Sequence, residues 1–355
     1  MSDVLRTDIH EILTDSNIPW ERLKGCAVLV TGATGLVGSL LIRAMSAANT
    51  EFKLNMKLIA HGRNTGKGNA LTEECGAEFI SCDISEPFPA MCLPDTLDYV
   101  FHCAAITKSS DMTAKPADVI STMVDGTKNA LETALEKRCR GFLYLSSMEV
   151  YGRPELPEVD ENDLGYLNLS NPRSCYPESK RLCETMCAAY AVQYGLPVKI
   201  ARLARTFGAG VKNEESDARV ANQFVNKALA NEDIELHTPG NSIANCCYSA
   251  DTVRGLLTVL LKGKDGESYN IANSAASATI REMAEILANK VCGGKIKVVV
   301  NVPEDIMRHG YAPDVCHTIN ADKLKDLGWT PKYGLEEMLR RMLADRREQK
   351  NIKTE

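Results

Sequence analysis

The residues best suited to chemistry are a tyrosine and a lysine four positions apart, preceded along the chain by a serine. Tyr176 and Lys180 stand in Tyr-Pro-Glu-Ser-Lys at the start of a helical pattern, so their side chains share one helix face. An ammonium beside a phenol favours the phenolate and lowers a phenol pKa that is ~10 in isolation. Such a phenolate can take the proton of an alcohol as hydride leaves the same carbon. Ser147 ends an apolar run upstream, and its hydroxyl can hold that alcohol.

A further ionisable side chain stands two residues after this serine. Glu149 follows Met148, which cannot donate a proton. Glu149 suits the role of a second acid or base beside the alcohol. A solvent-facing or ion-paired glutamate is the competing interpretation. We therefore predict Ser147, Glu149, Tyr176 and Lys180 as the catalytic residues.

Oxidation of an alcohol needs a hydride acceptor, and one turn of the chain is suited to holding it. The segment Thr-Gly-Ala-Thr-Gly-Leu-Val-Gly at 31–38 separates an apolar run from a helical pattern. Glycines let the backbone turn sharply and approach a phosphate, and the helix start offers N–H groups and the positive end of its dipole. This pattern predicts a dinucleotide site with contacts from Gly32, Thr34, Gly35, Leu36, Val37 and Gly38.

Three later strand ends offer contacts for the rest of an NAD(P) molecule. Arg63 follows the second run with no acid beside it, and an arginine there can accept the 2′-phosphate of NADP. A solvated Arg63 is equally consistent, so NAD versus NADP stays open. The carboxylate of Asp83 can accept a hydrogen bond from adenine, and a simple turn aspartate is the competing interpretation. Small residues can line a flat cofactor. The predicted contacts are Arg63, Asp83, Ile84, Cys103, Ala104 and Ala105, with Tyr176 and Lys180 at the nicotinamide end.

The elements that must position these residues alternate along the chain. Apolar runs occur at 26–30, 57–60, 78–80, 98–103, 142–146 and 197–201, and helical patterns at 36–48, 68–75, 115–136 and 176–194. Runs that are apolar on both faces indicate a parallel sheet covered by helices on both sides. The predicted fold is α/β, a Rossmann-type doubly wound parallel sheet with ligands at the carboxyl ends of its strands.

After residue 204 this alternation loosens, which indicates a smaller C-terminal mixed α/β substrate domain. Further helical patterns occur at 218–230, 251–262, 279–291, 321–326 and 334–348. The predicted organisation is an N-terminal extension at 1–24 with a short packing helix at 8–13, the NAD(P)-binding domain at 25–204, the substrate domain mainly at 205–345 with segments near 245–275 returning to the first domain, and a frayed tail at 346–355.

Composition and charge exclude several classes of protein. The 355 residues are 44% hydrophobic and 25% charged with a net charge of −6, which is typical of a soluble globular protein and gives no reason to expect nucleic acid as a partner. No apolar run approaches ~18 residues, so no membrane span is expected. The N-terminus lacks the layout of a signal peptide, so the cytoplasm is the predicted location. The 13 cysteines are scattered without the spacing of a metal site.

Taken together, the motifs resemble the extended short-chain dehydrogenase/reductases and, within them, the NAD-dependent nucleotide-sugar epimerase/dehydratase group. The resemblance covers roughly 25–345 and rests on the segments 31–38, 83–84, 102–105, 126–127, 147–152 and 176–180, with Tyr248, Asp251, 269–271 and 327–329 in the C-terminal part. It implies a Rossmann domain with tightly held NAD(P), a nucleotide-sugar substrate and a homodimer built from two helices per subunit.

The resemblance also implies the first chemical step, oxidation of a sugar C4 hydroxyl to a ketone. Tyr176 would be the base, Lys180 the charge that tunes it and Ser147 the hydroxyl that binds the alcohol. Glu149 favours chemistry like that of UDP-glucuronate decarboxylases or 4,6-dehydratases, whereas Met148 counts against a standard dTDP-glucose 4,6-dehydratase. Simple epimerisation stays open, because an epimerase needs no further acid or base.

The substrate side departs from the family pattern. Arg205 stands where relatives usually have Asn, and Ala244 stands where many have a phosphate-binding Arg. We expect Thr107, Arg205 and Arg219 to contact the substrate, because Arg suits a diphosphate. The alternative is an extended-family dehydrogenase/reductase of a non-nucleotide alcohol or ketone with net redox turnover. A protein that only senses NAD(P) has no need of Ser147, Tyr176 and Lys180.

Overall fold

The computed structural model of the chain describes residues 1–89, 92–210, 219–302 and 314–352. Short runs rich in β-branched and aromatic residues form its strands. In chain order these are β1 Ala27–Thr31, β2 Lys57–Gly62, β3 Glu78–Ser81, β4 Tyr99–His102, β5 Gly141–Ser147, β6 Glu158–Val159, β7 Val198–Leu203, β8 Arg205–Phe207, β9 Ile234–Leu236, β10 Ile243–Tyr248, β11 Ser268–Ile271, β12 Asn273–Thr279, β13 Val298–Val300 and β14 Thr318–Ile319.

Helices separate these strands along the chain. They are α1 Asp3–Leu13, α2 Leu36–Glu51, α3 Thr65–Cys75, α4 Ser109–Ala114, α5 Pro116–Glu136, α6 Cys175–Tyr194, α7 Val220–Ala230, α8 Ser249–Lys262, α9 Ile280–Glu285, α10 Asp322–Lys325 and α11 Leu335–Ile352. The pattern at 279–291 predicted one helix, and the chain continues from α9 into a π-helical segment, Ile286–Val291.

Seven parallel strands form the main sheet, in the order β11-β7-β5-β4-β1-β2-β3. The chain moves from β1 outward to β2 and β3, and then returns to the other side of β1 as β4. Sheets of this kind bind ligands in the crevice where the strand order reverses. The crevice therefore opens at the carboxyl ends of β1 and β4, between the helices that cover the two apolar faces of the sheet. The predicted Rossmann-type fold is confirmed.

The C-terminal part returns to this sheet through one strand and one helix. β11 adds the seventh strand beside β7, and α8 packs on the sheet, with residues from Ser249 to Leu261 buried. The remaining strands form small sheets, namely β12-β10-β8, β13-β9 and β14-β6. The domain boundaries at 204 and 345 stay predictions, and residues 211–218 and 303–313 of the predicted substrate domain lie outside the described residues.

Both chain ends are packed more extensively than the sequence suggested. The first helix begins at Asp3 rather than at residue 8, and it buries Leu5, Asp8, Ile9 and Ile12. The tail was predicted to fray from Arg346, yet α11 continues to Ile352 and Arg346 is buried. Packing of α11 against α1 explains this difference, because a helix with a buried face does not fray at its charged residues. Residues 353–355 of the predicted tail lie outside the described residues. None of the described helices combines the length and the apolar character that crossing a membrane requires.

Candidate active site

The glycine turn after β1 has the geometry that a pyrophosphate site requires. Gly32 has φ +65°, and a Cβ there would lie 2.8 Å from the backbone nitrogen of Ala104. A Cβ on Gly38 would lie 2.5 Å from the carbonyl oxygen of Gly32. Gly35 is the N-cap of α2 and has no side chain that could cover the first turn. The first N–H groups of this 16-residue helix therefore face the crevice, and the turn fits the phosphates of a dinucleotide.

One cleft of about 760 Å³ runs from this turn along the carboxyl edge of the sheet. It brings together residues that are far apart in the sequence and whose types suit a cofactor at one end and an alcohol at the other. The predicted residues that line it are Gly32, Thr34, Gly35, Leu36, Val37, Gly38, Arg63, Ile84, Cys103, Ala104, Ala105, Thr107, Ser147, Glu149, Tyr176, Lys180, Arg205 and Arg219.

Asp83 is the predicted cofactor contact that does not line the cleft. Its carboxylate accepts hydrogen bonds from the backbone N–H and the hydroxyl of Ser85, at 3.0 and 2.8 Å. These bonds and the nearby Arg63 lower the pKa of Asp83. Arg63 lies 3.7 Å from the same carboxylate and is largely exposed. At the adenosine end, Arg63 and Asp83 thus form an ion pair. Arg63 lines the cleft, whereas the Asp83 carboxylate is turned toward Ser85.

The end of β5 places Ser147 and Glu149 in the middle of the cleft. A single 3₁₀ turn, Met148–Tyr151, follows Ser147, whose hydroxyl accepts from the Glu149 N–H at 3.2 Å. The Glu149 carboxylate forms an ion pair with Arg173, whose Nη2 lies 3.1 and 3.0 Å from Oε1 and Oε2. Arg173 belongs to the short turn that precedes α6, and its side chain is mostly buried. This pairing supports the ion-paired interpretation of Glu149 while keeping the carboxylate in the cleft.

The environment of Tyr176 differs from the expectation that Lys180 lowers its pKa. Tyr176 is buried at the start of α6, and burial together with the charge of Glu149 raises the pKa of the phenol well above 10. The Ser147 hydroxyl and the Arg173 guanidinium act in the opposite direction. The Lys180 ammonium lies 5.9 Å from the centroid of the Tyr176 ring. In this geometry, desolvation therefore raises the Tyr176 pKa by more than the neighbouring positive charges lower it.

Lys180 is also buried, and its ammonium donates to the carbonyl oxygen of Leu145 at 2.5 Å. Burial lowers the pKa of Lys180 to about 8. The bond fixes the amine against the end of β5, one helical turn from Tyr176. The side chains of Ser147, Tyr176 and Lys180 therefore meet at one place between β5 and α6, as the motif predicts.

The histidine at the end of β4, His102, has a structural role here. His102 lies between Thr31 and Thr127, whose hydroxyls are 2.9 and 3.3 Å from its ring nitrogens. Burial lowers the pKa of His102 to about 3, so the imidazole is neutral. Across the described parts of the chain, no three His, Cys, Asp or Glu side chains are grouped as metal ligands.

The ion pair of Arg173 with Glu149 was not predicted from the sequence. The contact of the Tyr144 ring with the Lys180 amine was not predicted from the sequence either. The spacing of Arg173 three residues before Tyr176 was the available signal for the first contact. No comparable signal existed for the second, because Tyr144 is 36 positions away from Lys180.

The sequence is similar over most of its length to known families and proteins. The model of the "NAD dependent epimerase/dehydratase family" matches residues 28–272. The chain is 32% identical to UDP-glucuronic acid decarboxylase 3 of Arabidopsis thaliana, over 92% of this chain and 90% of that protein.

Solved structures with similar folds share less sequence. A dTDP-glucose 4,6-dehydratase from Streptomyces venezuelae with NAD bound has a TM-score of 0.75 and 24% identity, with 92% of this chain and 98% of that chain covered. A UDP-N-acetylglucosamine 4-epimerase from Methanobrevibacter ruminantium has a TM-score of 0.77 and 21% identity, with 92% and 99% covered. These likenesses support the same fold.

Proposed function

The chain belongs to the NAD-dependent epimerase/dehydratase family, and from this we propose that it modifies a nucleotide-sugar through a ketone at C4 of the sugar. The observation that carries the proposal is the single cleft that Ser147, Glu149 and Tyr176 line together with the glycine turn. Decarboxylation of a UDP-linked uronic acid is the reaction we favour, because relatives that are 32% identical carry that activity in their names.

The cofactor we assign to the glycine turn is NAD, held along Gly32, Gly35 and the small residues after β4. When bound, it supplies an acceptor for the C4 hydride of the sugar and returns that hydride at the end. Tyr176 takes the proton of the C4 hydroxyl, and Ser147 hydrogen bonds to the same oxygen. Because neither residue is consumed, the same two side chains serve the closing reduction, in which the phenol returns its proton.

The C4 ketone makes loss of the carboxylate at C6 easy in a uronic acid. The bond between C5 and C6 breaks, carbon dioxide leaves and the electron pair passes to the enolate of the C4 ketone. C5 then needs a proton, and we assign its delivery to Glu149, which lines the same cleft as Ser147 and donates its backbone N–H to the Ser147 hydroxyl. In the resting chain the Glu149 carboxylate is paired with Arg173. A proton from water must therefore first neutralise this carboxylate and release it from Arg173, after which Glu149 passes the proton to C5.

Incubation of the purified chain with a panel of UDP-, dTDP-, GDP- and CDP-sugars, read by mass, tests this proposal. We expect loss of carbon dioxide from UDP-glucuronate, with no net release of reduced cofactor. Loss of water from a hexose would assign a dehydratase, and an isomer of unchanged mass would assign an epimerase. Reduced cofactor released in proportion to product would instead assign the alternative, a dehydrogenase/reductase of a non-nucleotide alcohol.

The choice of NAD over NADP rests on the ion pair at the adenosine end. Arg63 is engaged by Asp83, so a 2′-phosphate would have to draw Arg63 away from that carboxylate. We expect Arg63→Ala to weaken NADP binding about tenfold while changing NAD binding by less than about twofold, because only the phosphate gains a charged bond from Arg63. Titration of the purified protein with each dinucleotide measures both affinities. Equal losses for the two would mean that Arg63 does not contact the 2′ position.

We further propose that Thr107, Arg205 and Arg219 bind the substrate, since all three line the same cleft as the catalytic residues. A homodimer through α5 and α6 fits the same proposal. These two helices pack side by side, and Ile120, Leu182 and Val192 are exposed on them. Exposed apolar side chains on a helix pair suit association with a second copy.

A further inference from the structure

The ring of Tyr144 touches the amine on which the proposed reaction depends. The Lys180 Nζ lies 4.7 Å from the centroid of this ring, a distance typical of a cation–π contact. Both side chains are buried, at 1% and 3% exposure. We propose that the Tyr144 ring is a positioning group that keeps the Lys180 amine protonated and held beside Tyr176. The role in catalysis rests on the function proposed above.

A buried ammonium needs such support, because desolvation favours its neutral form. The Leu145 carbonyl supplies one hydrogen bond. Glu184 acts on Lys180 through its negative charge, but its carboxylate is itself paired with Arg202 at 2.7 Å. The face of an aromatic ring carries negative potential without a charge that must be desolvated. Tyr144 is buried and does not line the cleft, so its ring stabilises the ammonium from within the protein.

The ring, and not the hydroxyl, is the part of Tyr144 that this role requires. The hydroxyl has the weak thiol of Cys183 beside it and no oxygen or nitrogen partner among the described residues. On its other side the ring stacks with His102, with centroids 5.9 Å apart and planes inclined by 22°. The neutral His102 ring fixes the plane of Tyr144 without adding a charge. Phenylalanine should therefore replace Tyr144 in this role, and an aliphatic residue should not.

The titratable groups that face Lys180 come from its own helix and from two strands of the main sheet. On its own helix these are Tyr176, Cys183, Glu184 and Cys187, from the end of β4 they are His102 and Cys103, and from β5 the group is Tyr144. Burial raises the pKa of Cys103 to about 12 and that of Cys187 well above 9. The pKa of His102 is about 3. The pKa of Lys180 is lowered to about 8, so its own charge can be lost close to neutral pH.

The sign of the expected effect follows from this assignment. Lys180 is charged below its pKa, so activity that needs the ammonium is present at lower pH and is lost as the pH rises through that value. Removing the ring lowers the pKa further. In Tyr144→Leu we expect the high-pH loss of activity to begin about one pH unit lower, since a desolvated cation–π contact corresponds to a shift on the order of one unit. In Tyr144→Phe we expect the loss at the same pH as in the natural chain.

A direct titration of the Lys180 amine tests this proposal independently of the enzymatic function proposed above. The full-length protein is labelled with ¹³C at the lysine ε carbons, and the Lys180 signal is assigned by its loss in Lys180→Met. We expect its midpoint near 8 in the natural chain and in Tyr144→Phe, and about one unit lower in Tyr144→Leu. The pH profile of UDP-glucuronate turnover should shift in parallel.

Three outcomes would overturn the proposal. These are an unchanged midpoint in Tyr144→Leu, an equal shift in Tyr144→Phe, and a midpoint shift with no change in the pH profile of an active enzyme. If no nucleotide-sugar is turned over and the midpoint still shifts, the contact stands and the proposed function fails. Thermal unfolding confirms that each variant is folded, and Tyr144→Met replaces the leucine variant if that one is not.

Discussion

Replacing Tyr176 with phenylalanine is expected to lower turnover of the true substrate by ~10²-fold or more, which is the range for loss of a general base. Phenylalanine keeps the ring and its packing but removes the oxygen that takes the C4 proton. Because burial and Glu149 raise the Tyr176 pKa, activity of the natural chain should rise with pH until the Lys180 ammonium is lost. The variant should lose this rising limb.

Steady-state kinetics, with the product identified by mass, measure the effect of Tyr176→Phe on turnover. Tyr190→Phe is the matched control, because Tyr190 lies on the same helix beside Tyr194 and does not line the cleft. Cofactor binding by Tyr190→Phe should match that of the natural chain within about twofold. Tyr176→Phe should still bind the cofactor, since the glycine turn is untouched. Turnover within about threefold of the natural chain in Tyr176→Phe would show that another group is the base.

Replacing Glu149 with glutamine is expected to slow the reaction after the C4 ketone has formed. Oxidation at C4 needs only Ser147, Tyr176 and Lys180, so the ketone should still form. Protonation at C5 should slow by ~10²-fold or more, because glutamine keeps the shape of the side chain and loses the acid. Reduced cofactor should therefore accumulate on the variant during the first turnover and disappear slowly.

The near-ultraviolet absorbance of reduced nicotinamide follows this accumulation in a single-turnover experiment. Glu132→Gln serves as the control, because Glu132 is an exposed helix residue paired with Lys128. Conversion at the full rate in Glu149→Gln would make Glu149 a bystander and would favour simple epimerisation. A variant that forms no reduced cofactor at all would place Glu149 in the first step, together with Tyr176.

The features that the sequence determined by itself are local in the chain. The turn at 31–38 could be recognised because its glycines, the strand before it and the helix after it are contiguous, so backbone sterics alone define it. Tyr176 and Lys180 share a helix face for the same kind of reason. The alternation of buried runs and helices was enough to predict the parallel sheet and hence the edge at which the site lies.

Tertiary structure decided the contacts between segments that are distant in sequence. The pairing of Glu149 with Arg173, the ring of Tyr144 against Lys180 and the turning of Asp83 toward Ser85 all depend on how particular side chains are oriented after folding. The same holds for the Tyr176 pKa, whose expected direction was wrong, because the sequence shows that a lysine is near but not how deeply the phenol is buried. Proximity along a helix is fixed by backbone geometry, whereas desolvation and ion pairing are fixed only when the elements pack together.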